Sequence, residues 1–280
     1  MIIDSHCHAW AKWPYQPEVP DPDSRGIVEQ LLYEMDRCGV DQAAIVCARI
    51  DHNPDNNDYV AECVQRYPGR LYQIADVDCV WMDSYHQPGA DQRLREAAIK
   101  YHLKAFTHYV RSDYDWFESA DGLAFFQTAA DLNLIVSIAI APDGQGPLRK
   151  LAARFPETPF LCHHMAQPKA AERPPYPVLD SILRSADLPN IYIKLSGYHY
   201  ASQVPWDYPQ SDCGRIVRAL YQAYGATRLC WGTDYPVVRA FMTYRHALEA
   251  FRTHCTFVPD ADKALILGDN LYGLLQRAGR

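Results

Sequence analysis

Two histidines with one residue between them close the first apolar run of the chain, Met1-Ile2-Ile3-Asp4-Ser5-His6-Cys7-His8. Side chains alternate between the two faces of a strand, so His6 and His8 point the same way, and Asp4 is expected on their face. Paired imidazoles can ligate a metal ion, or they can move protons and position a substrate. Two surface histidines at a strand end are the plainer reading. The choice depends on whether other strand ends bring matching polar groups.

The elements that would position such groups follow from the apolar pattern. After the first run, strand-like apolar stretches recur at residues 43–47, 71–75, 103–108, 134–140, 159–164, 191–195 and 228–233. Helical stretches lie between them, at 24–37, 56–67, 90–101, 121–132, 146–155, 177–186 and 212–224, and helices finish the chain to about residue 276. Ser24 is the expected cap of the first helix and Gly39 its stop. Continuous apolar strands alternating with helices mean βαβ units and a parallel sheet. Eight such units predict an α/β fold, a (β/α)8 TIM barrel with extra C-terminal helices, formed as one domain over residues 1–280. No G-x-G-x-x-G follows a strand, which weakens a dinucleotide-binding alternative.

Active sites of such barrels lie at the C-terminal ends of the strands. Those ends carry His6 and His8, Arg49 and His52, His108 and Arg111, His163 and His164, Lys194 with Tyr198 and His199, and finally Asp234. Most of the 11 histidines fall on this face. A carboxylate facing several imidazoles can take a proton from water. Arg49, His52, His108, Arg111, Lys194, Tyr198 and His199 are candidate substrate contacts. Polar loops over the barrel mouth are the plainer reading for most of them, and a structural salt bridge for Lys194. The proline-rich loop 9–24 excludes a helix and carries Trp10, Trp13 and Tyr15, which either wall the pocket or pack on the rim.

Composition narrows the partners. Hydrophobic residues make up 48% of the 280 and charged residues 22%, an ordinary globular balance. A net charge of −7 argues against nucleic acid as the main partner. No apolar run is long enough to span a membrane and no secretory signal is visible, so a cytoplasmic location is expected. The nine cysteines are scattered without a C-x-x-C pair, as reduced, buried thiols would be.

Four motifs together carry a family resemblance: Ile3-Asp4-Ser5-His6-Cys7-His8, Cys162-His163-His164-Met165, Lys194-Leu195-Ser196-Gly197 and Trp231-Gly232-Thr233-Asp234-Tyr235-Pro236. They resemble the amidohydrolase superfamily, in particular the amidohydrolase-related branch that holds the sugar and dicarboxylate lactonases. The closing Ile266-Leu267-Gly268-Asp269-Asn270-Leu271-Tyr272-Gly273-Leu274 resembles the final helix of that branch. The resemblance implies that His6 and His8 bind a divalent metal, that His164 contacts the metal or a substrate carbonyl, and that Asp234 is the general base and a further metal ligand. One zinc or manganese ion, or a metal-independent site in which imidazoles polarise the carbonyl, are both consistent with it.

Departures from the pattern carry information too. Strand 4 ends Phe106-Thr107-His108 without the bridging lysine of binuclear members, which counts against two metals. Strand 5 ends without a histidine, which counts against decarboxylation. His163 stands where the family usually has Asp, and alternation with His164 is expected to turn it outward into a structural role. Only Arg49 and Arg111 are obvious carboxylate-binding cations, which counts against a dicarboxylate. The resulting expectation is a hydrolase that opens a lactone or related cyclic ester. A non-oxidative decarboxylase and a non-catalytic ligand-binding barrel are the alternatives. The expected partner is a small-molecule substrate, and a homo-oligomer is left open.

Overall fold

The structure is a computed structural model that describes residues 1–16 and 19–279. Pro17 and Glu18 of the proline-rich loop, and Arg280, lie outside the described residues. The strands are β1 Ile3–Cys7, β2 Gln42–Val46, β3 Leu71–Asp76, β4 Ala105–Tyr109, β5 Ile135–Ala139, β6 Phe160–Cys162, β7 Ile191–Leu195 and β8 Leu229–Trp231. They pair in parallel in sequence order as one sheet of eight. The seam between β8 and β1 is joined by His8 N–H to Tyr235 C=O at 2.6 Å and Asp234 N–H to His6 C=O at 2.7 Å. The architecture is the expected (β/α)8 barrel.

The outer layer consists of α1 Val28–Cys38, α2 Asn56–Arg66, α3 Ala90–Tyr101, α4 Ala120–Asp131, α5 Gln145–Arg154, α6 Pro177–Leu183, the single turn α7 Tyr198–Ala201, and α8 Gly214–Tyr224. After β8 come α9 Tyr244–Arg252, α10 Asp260–Ala264 and α11 Asn270–Arg277, the expected C-terminal helices. Their apolar stripes meet the barrel; Val28, Leu31, Leu32 and Met35 of α1 are buried at helical spacing. Gly39 ends α1 in the left-handed conformation at φ 68. Ser24 does not cap it: α1 begins four residues later, and the Ser24 hydroxyl donates to Asp21 C=O instead.

The barrel interior is apolar at its lower, N-terminal end. Ile3, Val46, Ile74, Ile135 and Leu161 form one buried cluster there with Leu271, Leu274 and Leu275 of α11. The last helix is therefore a plug, and each buried leucine contributes roughly 1.5–3 kcal/mol. Among the described residues no helix is long and apolar enough to cross a membrane.

Candidate active site

Above the plug the interior becomes polar, and the first strand changes face to make it so. The β1–β2 register shifts between Asp4 and Cys7. This irregularity corrects the expectation that Asp4 shares a face with His6 and His8. Asp4 turns to the outer layer, where it accepts from Thr233 N at 3.0 Å, Thr233 Oγ1 at 2.6 Å, Tyr244 Oη at 3.0 Å and His6 N at 3.1 Å. It ties the ends of β1 and β8 together. Burial raises its carboxyl to about 6 against the pull of those donors.

Asp234 takes the central place. Its backbone lies in the left-handed region at φ 64, and only 1% of the residue is exposed. One carboxylate oxygen lies 3.2 Å from His8 Nε2 and 3.5 Å from His6 Nε2; the other lies 3.3 Å from His199 Nε2. Burial pushes this acid up. The field of His164 and the close polar contacts of His199, His6 and His8 outweigh it and hold the carboxyl well below its ordinary range. Burial lowers His6 well below the usual imidazole value and His164 to about 4. At neutral pH the site thus holds an ionised carboxylate beside neutral His6 and His164.

The histidines are oriented by further partners. His8 Nδ1 donates to Val46 C=O at 2.7 Å, which turns Nε2 toward Asp234 at 3.2 Å. His164 Nδ1 meets Ser196 Oγ at 3.1 Å, and its ring packs edge-on against His6 at 4.4 Å. A Cβ on Gly197 would lie 2.7 Å from His164 Nδ1, so this close approach requires glycine. His6 also lies close to Gly232, where a Cβ would fall 2.8 Å from the His6 backbone nitrogen.

His163 corrects a second expectation. Leu161 belongs to the inner cluster, so strand alternation turns His163 inward, not outward. It is fully buried, packs edge-on against His6 at 4.5 Å, and shares a 2.7 Å hydrogen bond with Ser137 Oγ. His164 enters the site because the chain leaves strand geometry there. Residues His164, Met165, Ala166 and Gln167 all have positive φ, from 50 to 64.

Lys194 lies beneath this layer, with Nζ 3.2 Å from His6 Nδ1 and 2.8 Å from Ser137 Oγ. It is fully buried, and burial lowers it to about 7. Its partners are an imidazole and a hydroxyl, which is neither the salt bridge nor the open substrate contact that the sequence suggested. His6 Nδ1 is thus engaged by Lys194, which leaves Nε2 as the nitrogen that faces Asp234.

The other expected contacts divide. His199 joins the cluster and stacks on Phe241 at 4.7 Å. His108 does not. Ala105 of its strand faces the inner cluster, so His108 points outward against Phe125 and pairs with His86 Nε2 at 3.3 Å. Tyr198 is likewise buried in the outer core, its carbonyl accepting from Cys213 Sγ. Arg49 is held by Pro54 C=O at 2.6 Å and Arg111 reaches Val80 C=O at 3.4 Å; His52 is exposed. Cys7 turns away from the site to Ala44 C=O. All nine cysteines are free and buried, as expected. Trp10 stacks on His8 at 4.9 Å and Tyr15 meets Trp10 edge-on at 5.6 Å, so the proline-rich loop forms a wall.

Sequence reading missed Tyr200. Its ring covers His164 at 5.0 Å and His199 at 4.0 Å, it is 39% exposed, and its phenol is raised by burial and by Asp234. The available signal was the glycine before it. β7 ends at Leu195 and Gly197 leads into α7, so period-2 alternation no longer applied to Tyr198, His199 and Tyr200.

The cluster fits one divalent ion. His6, His8 and Asp234 bring ligand atoms within 4.8 Å of one another, and so do His6, His163 and His164. Buried His6 Nε2, His199 Nε2 and Asp234 Oδ2 have no hydrogen-bond partner, as atoms awaiting a cation or substrate would.

Comparison with known proteins finds relatives that match most of the chain. L-fucono-1,5-lactonase of Burkholderia ambifaria is 29% identical over 251 residues, covering 85% of this chain and 81% of that protein. An amidohydrolase from Burkholderia multivorans with bound zinc superposes with a TM-score of 0.79 at 19% identity, covering 99% of each chain. A probable 2-pyrone-4,6-dicarboxylic acid hydrolase from Acinetobacter baumannii with citric acid bound gives 0.77 at 18% identity, covering 98% of this chain and 99% of that one. These two structural likenesses establish the fold alone. The amidohydrolase family model matches residues 3–274, and the chain belongs to that family.

Proposed function

We propose that the protein hydrolyses an uncharged lactone, with Asp234 as the base that activates water. The observation that carries this reading is the Asp234 carboxylate, ionised in a buried site with three imidazole nitrogens within 3.5 Å. Water beside Asp234 gives up a proton to it while attacking the lactone carbonyl. The imidazole layer, with Tyr200 and Trp10 around it, excludes bulk water and offers donors where the oxyanion develops. Asp234 then returns the proton to the ring oxygen as the acyl–oxygen bond breaks. The product is the open hydroxy acid, and the base is regenerated.

The donor chemistry of the cluster around His6 suits one divalent ion. When bound, such an ion supplies Lewis-acid polarisation of the carbonyl. Arg49 and Arg111 are each engaged with a backbone carbonyl, which favours a neutral substrate over a dicarboxylate. The likeness to L-fucono-1,5-lactonase supports sugar lactones as the class to try first. The test is a pH-indicator assay over a panel of neutral sugar lactones and lactones bearing carboxylates. Acid release from the neutral members is expected. Carbon dioxide from aromatic acids, with no lactone opened, would replace this reading with the decarboxylase. Binding without turnover of any member would point to a ligand-binding barrel.

A further inference from the structure

Two ion-binding sets meet at His6, and they do not have the same consequences. A neutral imidazole has one unprotonated ring nitrogen, so His6 serves one ion at a time. An ion on His6, His8 and Asp234 uses the carboxylate that must take the proton from water. An ion on His6, His163 and His164 leaves that carboxylate free.

We propose that the resident ion is held by the deeper set, with His163 as a ligand. Three observations carry this. All three rings are buried, and their ligand atoms lie within 4.8 Å of one another. His163 Nδ1 is fully buried with no hydrogen-bond partner, an arrangement that is destabilising unless something occupies the nitrogen. Two of the rings are also braced from behind as metal-ligating histidines are, His163 by Ser137 Oγ at 2.7 Å and His164 by Ser196 Oγ at 3.1 Å. The left-handed run from His164 to Gln167 is the local feature that brings adjacent histidines of one chain segment into the same small space. Nitrogen ligands in this number suit zinc and its spectroscopic substitute cobalt(II).

The inference deepens the hydrolytic reading by separating the ion from the base, yet its test needs no turnover. Apoprotein is titrated with cobalt(II) and followed by visible absorption, and the wild-type cobalt and zinc forms are measured by X-ray absorption. Three imidazoles in the wild-type ion shell are expected. His163→Asn should weaken cobalt(II) binding about 100-fold or more, whereas Asp234→Asn should weaken it less than about 10-fold. Two imidazoles with a carboxylate, or loss of binding in Asp234→Asn with retention in His163→Asn, would overturn the proposal. So would a wild-type protein that takes up no stoichiometric ion. If His163→Asn fails to fold, the wild-type X-ray absorption result decides. Failure of every lactone assay would leave these outcomes readable.

Discussion

The two ends of one barrel have opposite chemistry. At the lower end, Ile74, Ile135 and Leu161 meet Leu274 and Leu275 of α11 in a buried apolar cluster. A few residues higher on the same strands, His6, His163, Lys194, Ser137 and Asp234 are just as buried but polar, and several of their atoms lack partners. The lower end gains free energy from every side chain it buries. The upper end pays in desolvation for each polar group, as the depressed His6 and Lys194 record. The comparison teaches that stability and reactivity are stacked along the strand axis.

That division can be broken or sharpened by substitution. Asp234→Asn should lower kcat/KM about 10³-fold, roughly 4 kcal/mol of barrier, with the unfolding temperature little changed. A loss under tenfold, measured by steady-state kinetics on an active lactone, would remove Asp234 from the base role. Leu275→Ala should show the reverse pattern. It opens a hole in the plug and costs about 3 kcal/mol in urea unfolding, while kcat of the folded fraction stays within twofold. A large fall in kcat would mean that the lower end is not merely structural.

Thr233→Val probes the boundary between the two. It deletes the 2.6 Å hydrogen bond to Asp4 and the acceptor for Tyr235 N, at a cost of about 2 kcal/mol in stability. Its effect on kcat should be smaller than that of Asp234→Asn. Equal effects would make the Asp4 clamp part of the chemistry.

The pH profile is the finest test. A depressed Asp234 stays ionised as pH falls from 7 to 5, so kcat/KM should change less than about twofold over that interval, with the acid limb below pH 4. The stability that Asp234 contributes above its unfolded value is lost in the same acid range, as pH falls through its depressed folded value. An acid limb near pH 6 to 7 would assign the base to an imidazole or to Lys194.

Much of this was legible in the sequence because parallel barrel strands are apolar throughout and their ends are short. His6, His8, His164, His199 and Asp234 were all read from strand ends and do meet. What was not legible depended on local departures from regular geometry. The irregularity after Asp4 sent that carboxylate outward. Counting alternation back from His164 gave the wrong face for His163, because His164 itself lies on a left-handed turn. Successive residues of α7 are spread around a helix, so Tyr200 reaches the site while Tyr198 does not. His108 was read as facing the mouth, whereas small Ala105, two positions below Thr107, already marked the inward face of β4.

The central claim is that Asp234 activates water for attack on an acyl carbon. Single-turnover hydrolysis of an active lactone in 18O-labelled water tests it most directly, by mass analysis of product and enzyme. The account predicts one labelled oxygen in the carboxylate of the first product and none in Asp234. Label in Asp234, or a product whose carboxylate carries none, would contradict it.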